Sequence, residues 1–256
     1  MRVAFLFDIH ANLPAFQAAL AAARTEGIDA VYHGGDLIGW GPQPNEVVAR
    51  VAEEGLPGVA GNHELLCLGA FTEEHPLRNA STRWTAEQLS PETREFITGL
   101  PPRLAAEGFL LSHAAPSARR DPPDGDCFPY LHSAAALAAD PAPFGDVPGG
   151  LIVTGHVHQA AIHLAHLGAL ALERRALAPA EVRLDVDIPP GCSAFVVAGA
   201  VGKPRDGVPA ANYLLWDTQA RTLSLRRVSY DVEAVCKHLR RTALPAVLAD
   251  QLAAGE

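Results

Sequence analysis

Five short segments of the sequence carry residue types that bind metal ions. They are Asp8-Ile9-His10, Gly35-Asp36, Gly61-Asn62-His63-Glu64, Ser112-His113 and Gly155-His156-Val157-His158. Carboxylate and amide oxygens and imidazole nitrogens suit manganese, iron, zinc, nickel or cobalt better than a thiolate-selective ion. A single segment of this kind is more often a turn or a capped strand end, such as an Asx-turn at Asn62 or a cap at Asp36. Five of them in one chain predict a metal centre.

Each segment follows a short apolar run that is typical of a buried strand. The runs cover residues 3–7, 30–33, 57–60, 109–111 and 151–154. Ligand sites of α/β proteins assemble where such strands end. Because neighbouring strands lie roughly 4.8 Å apart, the loops that leave them can reach shared ions. In extended backbone, the i, i+2 spacing of Asp8 with His10, and of His156 with His158, would point both side chains of a pair the same way.

The elements between these strands predict an α/β fold. Helices are expected at 14–24, 44–54 and 77–99, with a new helix starting at Ser90-Pro91. Strands expected at 161–165, 169–173, 193–198, 212–217 and 222–229 alternate too quickly for intervening helices and indicate an antiparallel second half. Residues 114–150 are rich in Pro, Gly and Asp and form a candidate lid, with a short helix at 131–139. A helical tail covers 231–256, interrupted at Pro245, and we expect one domain over 1–256.

Composition limits the classes of protein and partner. The net charge of −9 disfavours extended contact with a nucleic-acid backbone, which requires many Lys and Arg side chains. No apolar run approaches the roughly 18 residues needed to span a bilayer, so we expect a soluble cytoplasmic protein without membrane contact. The four cysteines are widely separated and predict neither a zinc knuckle nor a disulfide framework. An oligomer is compatible with these features.

The order of the five segments resembles the calcineurin-like metallophosphoesterase superfamily, whose pattern is D-x-H, G-D, G-N-H-[DE], H and G-H-x-H. This match covers residues 3–158. Residues 8–14 (DIHANLP), 39–45 (GWGPQPN) and 201–207 (VGKPRDG) are similar to the small bacterial phosphodiesterase branch, which extends the resemblance over most of the chain. The resemblance implies an α/β (α+β) fold, a four-layer α/β/β/α sandwich with two central mixed sheets.

The resemblance also implies a role for each site residue. One ion would be bound by Asp8, His10 and His158, and the other by Asn62, His113 and His156, with Asp36 bridging both. Two ions held roughly 3.5 to 4 Å apart would turn a bridging water into the attacking hydroxide. His63 would face the leaving-group oxygen as proton donor or electrostatic stabiliser, and Glu64 would orient or charge its imidazole. The expected cofactors are two divalent or trivalent ions, with manganese favoured.

The expected activity is hydrolysis of a small phosphodiester or phosphomonoester, nucleotide-derived esters included. Relatives that act on proteins carry an Arg soon after G-D, whereas residues 37–41 (LIGWG) contain none. The alternatives are a protein serine/threonine phosphatase, a dinucleoside-polyphosphate phosphatase or, in a different class, a non-catalytic metal-binding scaffold. The chain also departs from the branch at Ala11, where Gly is usual, and at 197–200, where N-x-G-S is usual.

Four further residues are candidates for substrate contact. Asn12 suits a phosphate contact or an N-cap of the following helix equally well. Arg119, Arg120 and Tyr130 lie in the candidate lid and could grip a phosphate and stack on a base, although solvated loop residues are the more common finding there. His33 precedes Gly34-Gly35-Asp36, and its place on a strand favours packing against the sheet.

Overall fold

Two mixed β-sheets form the centre of the structure. The computed structural model describes residues 1–71, 75–106, 108–116, 128, 130, 150–166 and 172–256. The strands within these residues are β1 (Arg2–Leu6), β2 (Ala30–His33), β3 (Arg103–Ala106), β4 (Phe109–Ser112), β5 (Leu151–Thr154), β6 (Ala161–His166), β7 (Leu172–Arg175), β8 (Arg183–Asp187), β9 (Cys192–Val197), β10 (Ala211–Asp217) and β11 (Thr222–Val228). Sheet A has the strand order β2-β1-β10-β11-β8, and sheet B has the order β3-β4-β5-β9-β6-β7. Each sheet therefore combines strands from both halves of the sequence.

The strand pairings explain why the sequence predicts parallel strands in the first half of the chain and antiparallel strands in the second half. β1 pairs parallel with β2, and β5 pairs parallel with both β4 and β9. The remaining pairings are antiparallel, including β10 with β11 and β6 with β7. The expected α/β fold with two central mixed sheets is confirmed, and the parallel pairs bring several strand ends to one edge.

Alternation along the strands divides the apolar side chains between two cores. On β1, Val3 and Phe5 face sheet B and pack in a core that includes Phe109 and Val153. Ala4 and Leu6 face the opposite way, into a core shared with the helices. This period of two is what a strand covered on both faces requires. The position of β1 is therefore fixed from both sides, which also fixes where its carboxyl end lies.

Helices account for the second of these cores. Those within the described residues are α1 (Leu13–Thr25), α2 (Pro44–Glu53), α3 (Asn62–Cys67), α4 (Pro76–Gln88), α5 (Pro91–Gly99), α6 (Val232–Leu239) and α7 (Val247–Ala254). Side chains of α1 and α2, such as Phe16 and Val47, pack on the helix-facing side of sheet A. The Ser90 side chain accepts from the Thr93 N–H and caps α5, as the Ser90-Pro91 pair predicts. The two tail helices, α6 and α7, flank the predicted interruption at Pro245.

The predicted strand at 57–60 is wrong. A single parallel bridge joins His33 to Gly58, where the His33 N–H donates to the Pro57 carbonyl and the Val59 N–H to the His33 carbonyl. The Ala60 N–H then turns away to the carbonyl of Pro101, so the ladder stops after one bridge. The following residues form α3, which the sequence analysis missed.

Two edge strands were also missed. β3 and β8 alternate between exposed and half-buried residues and carry no apolar run, as edge strands often do. Of the strand predicted at 169–173, residues 172 and 173 belong to β7, which continues to Arg175, and residues 169–171 lie outside the described residues. Most of the candidate lid, including Arg119, Arg120 and the short helix predicted at 131–139, lies outside the described residues. Among the residues described, no helix is long and apolar enough to cross a membrane.

Candidate metal centre

The carboxyl ends of β1, β2, β4 and β5 meet at one edge of the two sheets. Within sheet A, the loops after β1 and β2 are joined where the Asp8 N–H donates to the Gly35 carbonyl at 3.2 Å and the His10 N–H to the Asp36 carbonyl at 2.8 Å. Between the sheets, the His156 N–H donates to both Asp8 carboxylate oxygens, at 3.0 and 3.3 Å. These bonds hold the segments after β1, β2 and β5 together at the site.

Two groups of ligand atoms form at this edge. The first group comprises Asp8, His10, Asp36 and His158, with one ligand atom from each lying within 4.8 Å of the others. By the same measure, the second group comprises Asp36, His113 and His156. The amide oxygen of Asn62 lies beside the second group, 3.2 Å from His113 Nε2. The structure thus brings all seven predicted ligands together.

Asp36 belongs to both groups through one carboxylate oxygen. Its Oδ2 lies 3.6 Å from His10 Nε2 and 3.3 Å from His113 Nε2. Its Oδ1 accepts the backbone N–H of His63 at 2.8 Å, which fixes the rotation of the carboxylate. A carboxylate held in this way can be shared by two ions.

Backbone carbonyls orient three of the histidine rings. The Nδ1 atoms of His10, His113 and His158 face the carbonyls of Ile38, Gly34 and Lys203, respectively. A carbonyl only accepts, so each Nδ1 carries the proton and leaves Nε2 to bind a ligand. Second-sphere contacts of this kind are typical of metal-binding histidines.

The donor set fits transition-metal ions. His10 Nε2 and His158 Nε2 lie 3.1 Å apart, and in the neutral rings both atoms present lone pairs to each other. Such a contact is unfavourable unless a cation shares the electrons. The ligands are oxygens and imidazole nitrogens, all buried, with His156 the most exposed at 4%. Manganese, iron, zinc, nickel and cobalt all accept such a set.

The backbone of the paired ligands is left-handed, so the prediction of extended i, i+2 pairs is wrong. Asp8, His10, His156 and His158 have φ values of 52°, 49°, 65° and 63°. Non-glycine residues adopt this region at a cost of order 1 kcal/mol or more each. The sharp turns divide His156 and His158 between the two groups, whereas Asp8 and His10 serve the same one. In an extended strand, the two side chains of each pair would have pointed to the same side.

Glu64 connects the loops by binding backbone N–H groups. Its carboxylate accepts from Asp36 at 2.8 Å, from Gly61 at 2.7 Å and from Leu37 at 2.8 Å. Gly61 is the N-cap of α3 and Glu64 its third residue, which is the capping-box arrangement. A Cβ atom on Gly61 would lie 2.2 Å from Asp36 Oδ1, so only glycine permits this approach. The described contacts of Glu64 lead to backbone groups and not to the His63 ring.

His63 lies beside the ligand groups without belonging to either. Its ring centroid is 4.9 Å from that of His10 and 5.3 Å from that of Trp40. Gly39, with φ of 83°, makes room for it, since a Cβ atom there would lie 2.2 Å from His63 Nδ1. That Nδ1 is buried without a hydrogen-bond partner in the described structure. Burial lowers the pKa of His63 to about 3 against the opposing effect of Asp36, so the ring is neutral near pH 7.

The charges of the metal-free site are strongly coupled. Burial would lower the pKa of His113, but the Asp36 carboxylate overcomes this effect and raises it to about 9. Burial and the nearby Asp36 raise the pKa of Glu64 to about 7, although the N–H of Gly61 acts against them. Burial lowers the pKa of His10 well below its usual value. An ion must displace the proton from His113, so ion binding will weaken as the pH falls.

The predicted substrate contact at Asn12 is not supported. Its Oδ1 accepts the Ala15 N–H as the N-cap of α1, and its Nδ2 donates to the Gly202 carbonyl and the Tyr230 hydroxyl. The residue is buried, so its polar atoms are occupied within the fold. Of the two roles that the sequence left open, the structure favours the N-cap.

Tyr130 lies at the site, together with an arginine that the sequence analysis missed. The Tyr130 ring stacks on His156 with a centroid distance of 4.0 Å and an interplanar angle of 29°. Arg78 Nη2 donates to the Tyr130 hydroxyl at 3.3 Å. No motif marks Arg78, because only the packing of α4 brings it to this place.

The two mixed sheets and the buried histidine and aspartate groups define the class: an α/β fold with a candidate metal centre at the edge of its sheets. The model of the calcineurin-like phosphoesterase superfamily domain matches residues 1–221. The chain therefore belongs to this superfamily, a family of metal-dependent phosphoesterases.

Individual relatives cover almost the entire chain. It is 27% identical over 259 residues to uncharacterized protein MJ0912 of Methanocaldococcus jannaschii, covering 99% of this chain and 98% of that one. The crystal structure of a metallophosphoesterase from Sphaerobacter thermophilus superposes with a TM-score of 0.81 at 28% identity, covering 100% of this chain and 99% of the other. Hypothetical protein PH1004 from Pyrococcus horikoshii OT3 has the same fold, with a TM-score of 0.73 at 21% identity, covering 100% and 98% of the two chains.

Proposed function

We propose that the protein is a phosphoesterase with two metal ions, which hydrolyses small phosphodiesters or phosphomonoesters. The observation that carries this proposal is the sharing of Asp36 between two buried groups of ligand atoms. A single-ion site would need only one of the groups. A structural metal site would close its ligand shell and would need no neutral ring such as His63 beside it, with an Nδ1 that has no hydrogen-bond partner among the described residues.

Each ion has its own ligands in this proposal. Asp8, His10 and His158 hold one ion, Asn62, His113 and His156 hold the other, and Asp36 contacts both. When bound, such an ion pair lowers the pKa of a coordinated water and clamps phosphoryl oxygens during an in-line displacement. Manganese is the favoured metal, and iron, zinc, nickel and cobalt satisfy the same donors.

His63 is the proposed catalytic side chain outside the ligand set. Its ring is neutral near pH 7, so it acts on the leaving-group oxygen as an N–H hydrogen-bond donor. The His63 backbone N–H holds Asp36, so one residue connects the shared carboxylate to the reacting phosphate. Glu64 is assigned a positioning role, because its carboxylate ties the loop at Asp36 to the loop at Gly61.

A small substrate agrees with the charge of the chain. The net charge of −9 repels an extended polyanion, whereas ions in the site supply positive charge for a single phosphate. A phosphate ester of a nucleotide-derived compound offers such a phosphate without being an extended polyanion. We do not expect extended contact with nucleic acid, and binding that weakens steeply with salt would contradict this expectation.

The activity is tested by measuring bound metals and hydrolysis together. We expect the manganese-loaded protein to hydrolyse bis-p-nitrophenyl phosphate, p-nitrophenyl phosphate or a cyclic nucleotide and to bind two ions per chain. Asp36→Asn keeps the shape of the side chain but removes the shared charge, so it should bind less metal and lose activity.

Two outcomes would contradict the proposal. Two bound ions without hydrolysis of any of these esters would favour a non-catalytic scaffold. Activity confined to phosphopeptides would favour a protein phosphatase.

A further inference from the structure

Arg78 brings a positive charge to the side of the metal centre formed by His156. It lies in the first turn of α4, where Pro76 starts the helix and the His75 ring accepts the Arg78 N–H. Its guanidinium donates to the hydroxyl of Tyr130, whose ring covers His156. Arg78, Tyr130 and His156 therefore form a continuous wall from the helix to the ligands.

The geometry places the Arg78 guanidinium at the edge of the metal centre. Its Nη2 lies 3.3 Å from the Tyr130 hydroxyl, and the face of the same Tyr130 ring covers His156, a proposed ligand. A group bound beside His156 would therefore lie near this guanidinium.

The loop after Asp36 supplies no cationic side chain that could bind a phosphate beside the metal ions. Residues 37–41 contain no basic side chain, while Asp8, Asp36 and Glu64 place three carboxylates at the site. A guanidinium offers planar, directional N–H donors that match phosphate oxygens. Arg78 lies outside both ligand groups, so its guanidinium is not one of the proposed metal ligands.

We propose that Arg78 binds a non-bridging phosphate oxygen of the substrate and that the Tyr130 hydroxyl holds its guanidinium in place. This inference rests on the proposed phosphoesterase function. It assigns to α4 the phosphate-binding charge that the loop after Asp36 lacks. The pair lies on the solvent side of His156, since Tyr130 is 41% exposed.

Binding of inorganic phosphate tests the proposal without requiring turnover. The manganese-loaded wild-type protein and the variants Arg78→Ala, Arg78→Lys and Arg83→Ala are titrated with phosphate by calorimetry, and their bound metal is measured. Arg83 is an exposed arginine of the same helix, so Arg83→Ala removes an equal charge away from the wall. We expect Arg78→Ala to weaken phosphate binding about tenfold, the loss typical of one charged hydrogen bond. Arg78→Lys should lose less, and Arg83→Ala should bind as the wild type does.

Three results would overturn the proposal. These are wild-type affinity in Arg78→Ala, no phosphate binding by the wild type, and loss of bound metal together with loss of affinity in both Arg78 variants. The last result would mean that Arg78 acts through the fold. Failure of the proposed function is a separate finding: the wild type would then bind phosphate through Arg78 yet hydrolyse no ester.

Discussion

His63 and Glu64 are adjacent in the G-N-H-E segment but make different contacts. Glu64 is buried with its carboxylate oxygens accepting backbone N–H groups from four residues, so its substitution would disturb the loops. His63 makes its structural bond through the backbone, where its N–H donates to Asp36. Under the proposed function, its side chain acts on the substrate and is not needed for the geometry of the ligands. This division makes His63 the better residue for separating catalysis from metal binding.

His63→Asn should lower turnover more than it lowers metal content. The backbone bond to Asp36 remains, but Asn cannot place a donor where the ring nitrogens lie, so kcat should fall by about 10²-fold or more. The measurement is kcat with bound metal determined on the same sample. His238→Asn, at an exposed histidine of α6, serves as the control and should leave both values unchanged. Equal losses of metal and of kcat in His63→Asn would show that the residue supports the site and does not act on the substrate.

The tail helices reach the metal centre through one loop. The Lys203 carbonyl orients His158, while its Nζ donates to Gln251 Oε1 at 3.2 Å and to the Glu256 carbonyl at 2.7 Å. The ammonium also lies 5.4 Å from the centroid of Trp40, in contact with the core of α6 and α7. The loop that holds a ligand is thus the loop to which α7 is fastened.

Lys203→Met should loosen α7 from the domain. Met retains much of the aliphatic stem but loses the donors to Gln251 and Glu256, so the free energy of unfolding should fall by about 1 to 2 kcal/mol. Hydrogen exchange of the α7 amides should accelerate accordingly. The matched control is Lys237→Met, since Lys237 is the other lysine of the chain and pairs with Glu233 on the surface of α6. Such exposed pairs contribute little, so its effect should be small. Unchanged exchange in α7 would contradict the fastening role of Lys203.

The sequence predicts elements best where burial imposes a strong pattern. β5 lies at the predicted residues because its continuous apolar run distinguishes a strand covered on both faces. β2 also lies where it is predicted, although it is an edge strand whose residues alternate between half-buried and buried. β3 and β8 lack an apolar run, and α3 begins where only the capping role of Glu64 would have revealed it. The seven proposed ligands could be found because their motifs are local. Arg78 and the Lys203 carbonyl could not, because tertiary packing brings them to the site from distant parts of the chain.

The stability of the whole molecule depends on pH through two buried histidines, His113 and His33, whose pKa values are shifted in opposite directions. In the metal-free protein, the pKa of His113 is raised to about 9 by Asp36, which outweighs burial. Its contribution to stability is therefore complete below the ordinary value of 6.5 and is lost as the pH rises through about 9. His33 has the opposite effect: burial lowers its pKa to about 3, so the folded protein resists its protonation. Metal binding removes the contribution of His113 and leaves that of His33 unchanged.

His33 should therefore limit stability in acid. It is fully buried where β2 meets Gly58, and neither ring nitrogen has a hydrogen-bond partner in the described structure. Between pH 6.5 and about 3 the unfolded chain binds a proton at this side chain and the folded chain does not, so the free energy of unfolding falls as the pH falls. Lowering the pH from about 7.5 to about 5 should cost about 2 kcal/mol through this residue alone.

His33→Leu tests this contribution by removing the titrating ring while keeping an apolar side chain of similar size. The variant should be as stable as the wild type near pH 7.5 or slightly more so, because two buried nitrogens without partners disappear. Urea unfolding of the metal-free proteins across the pH range should show a shallower loss of stability in acid for His33→Leu. His238→Leu removes an exposed histidine and should keep the wild-type slope. If the free energy of unfolding falls equally with pH in His33→Leu and in the wild type, the folded protein accepts a proton at His33. The packing of His33 against Gly58 would then open before the rest of the fold.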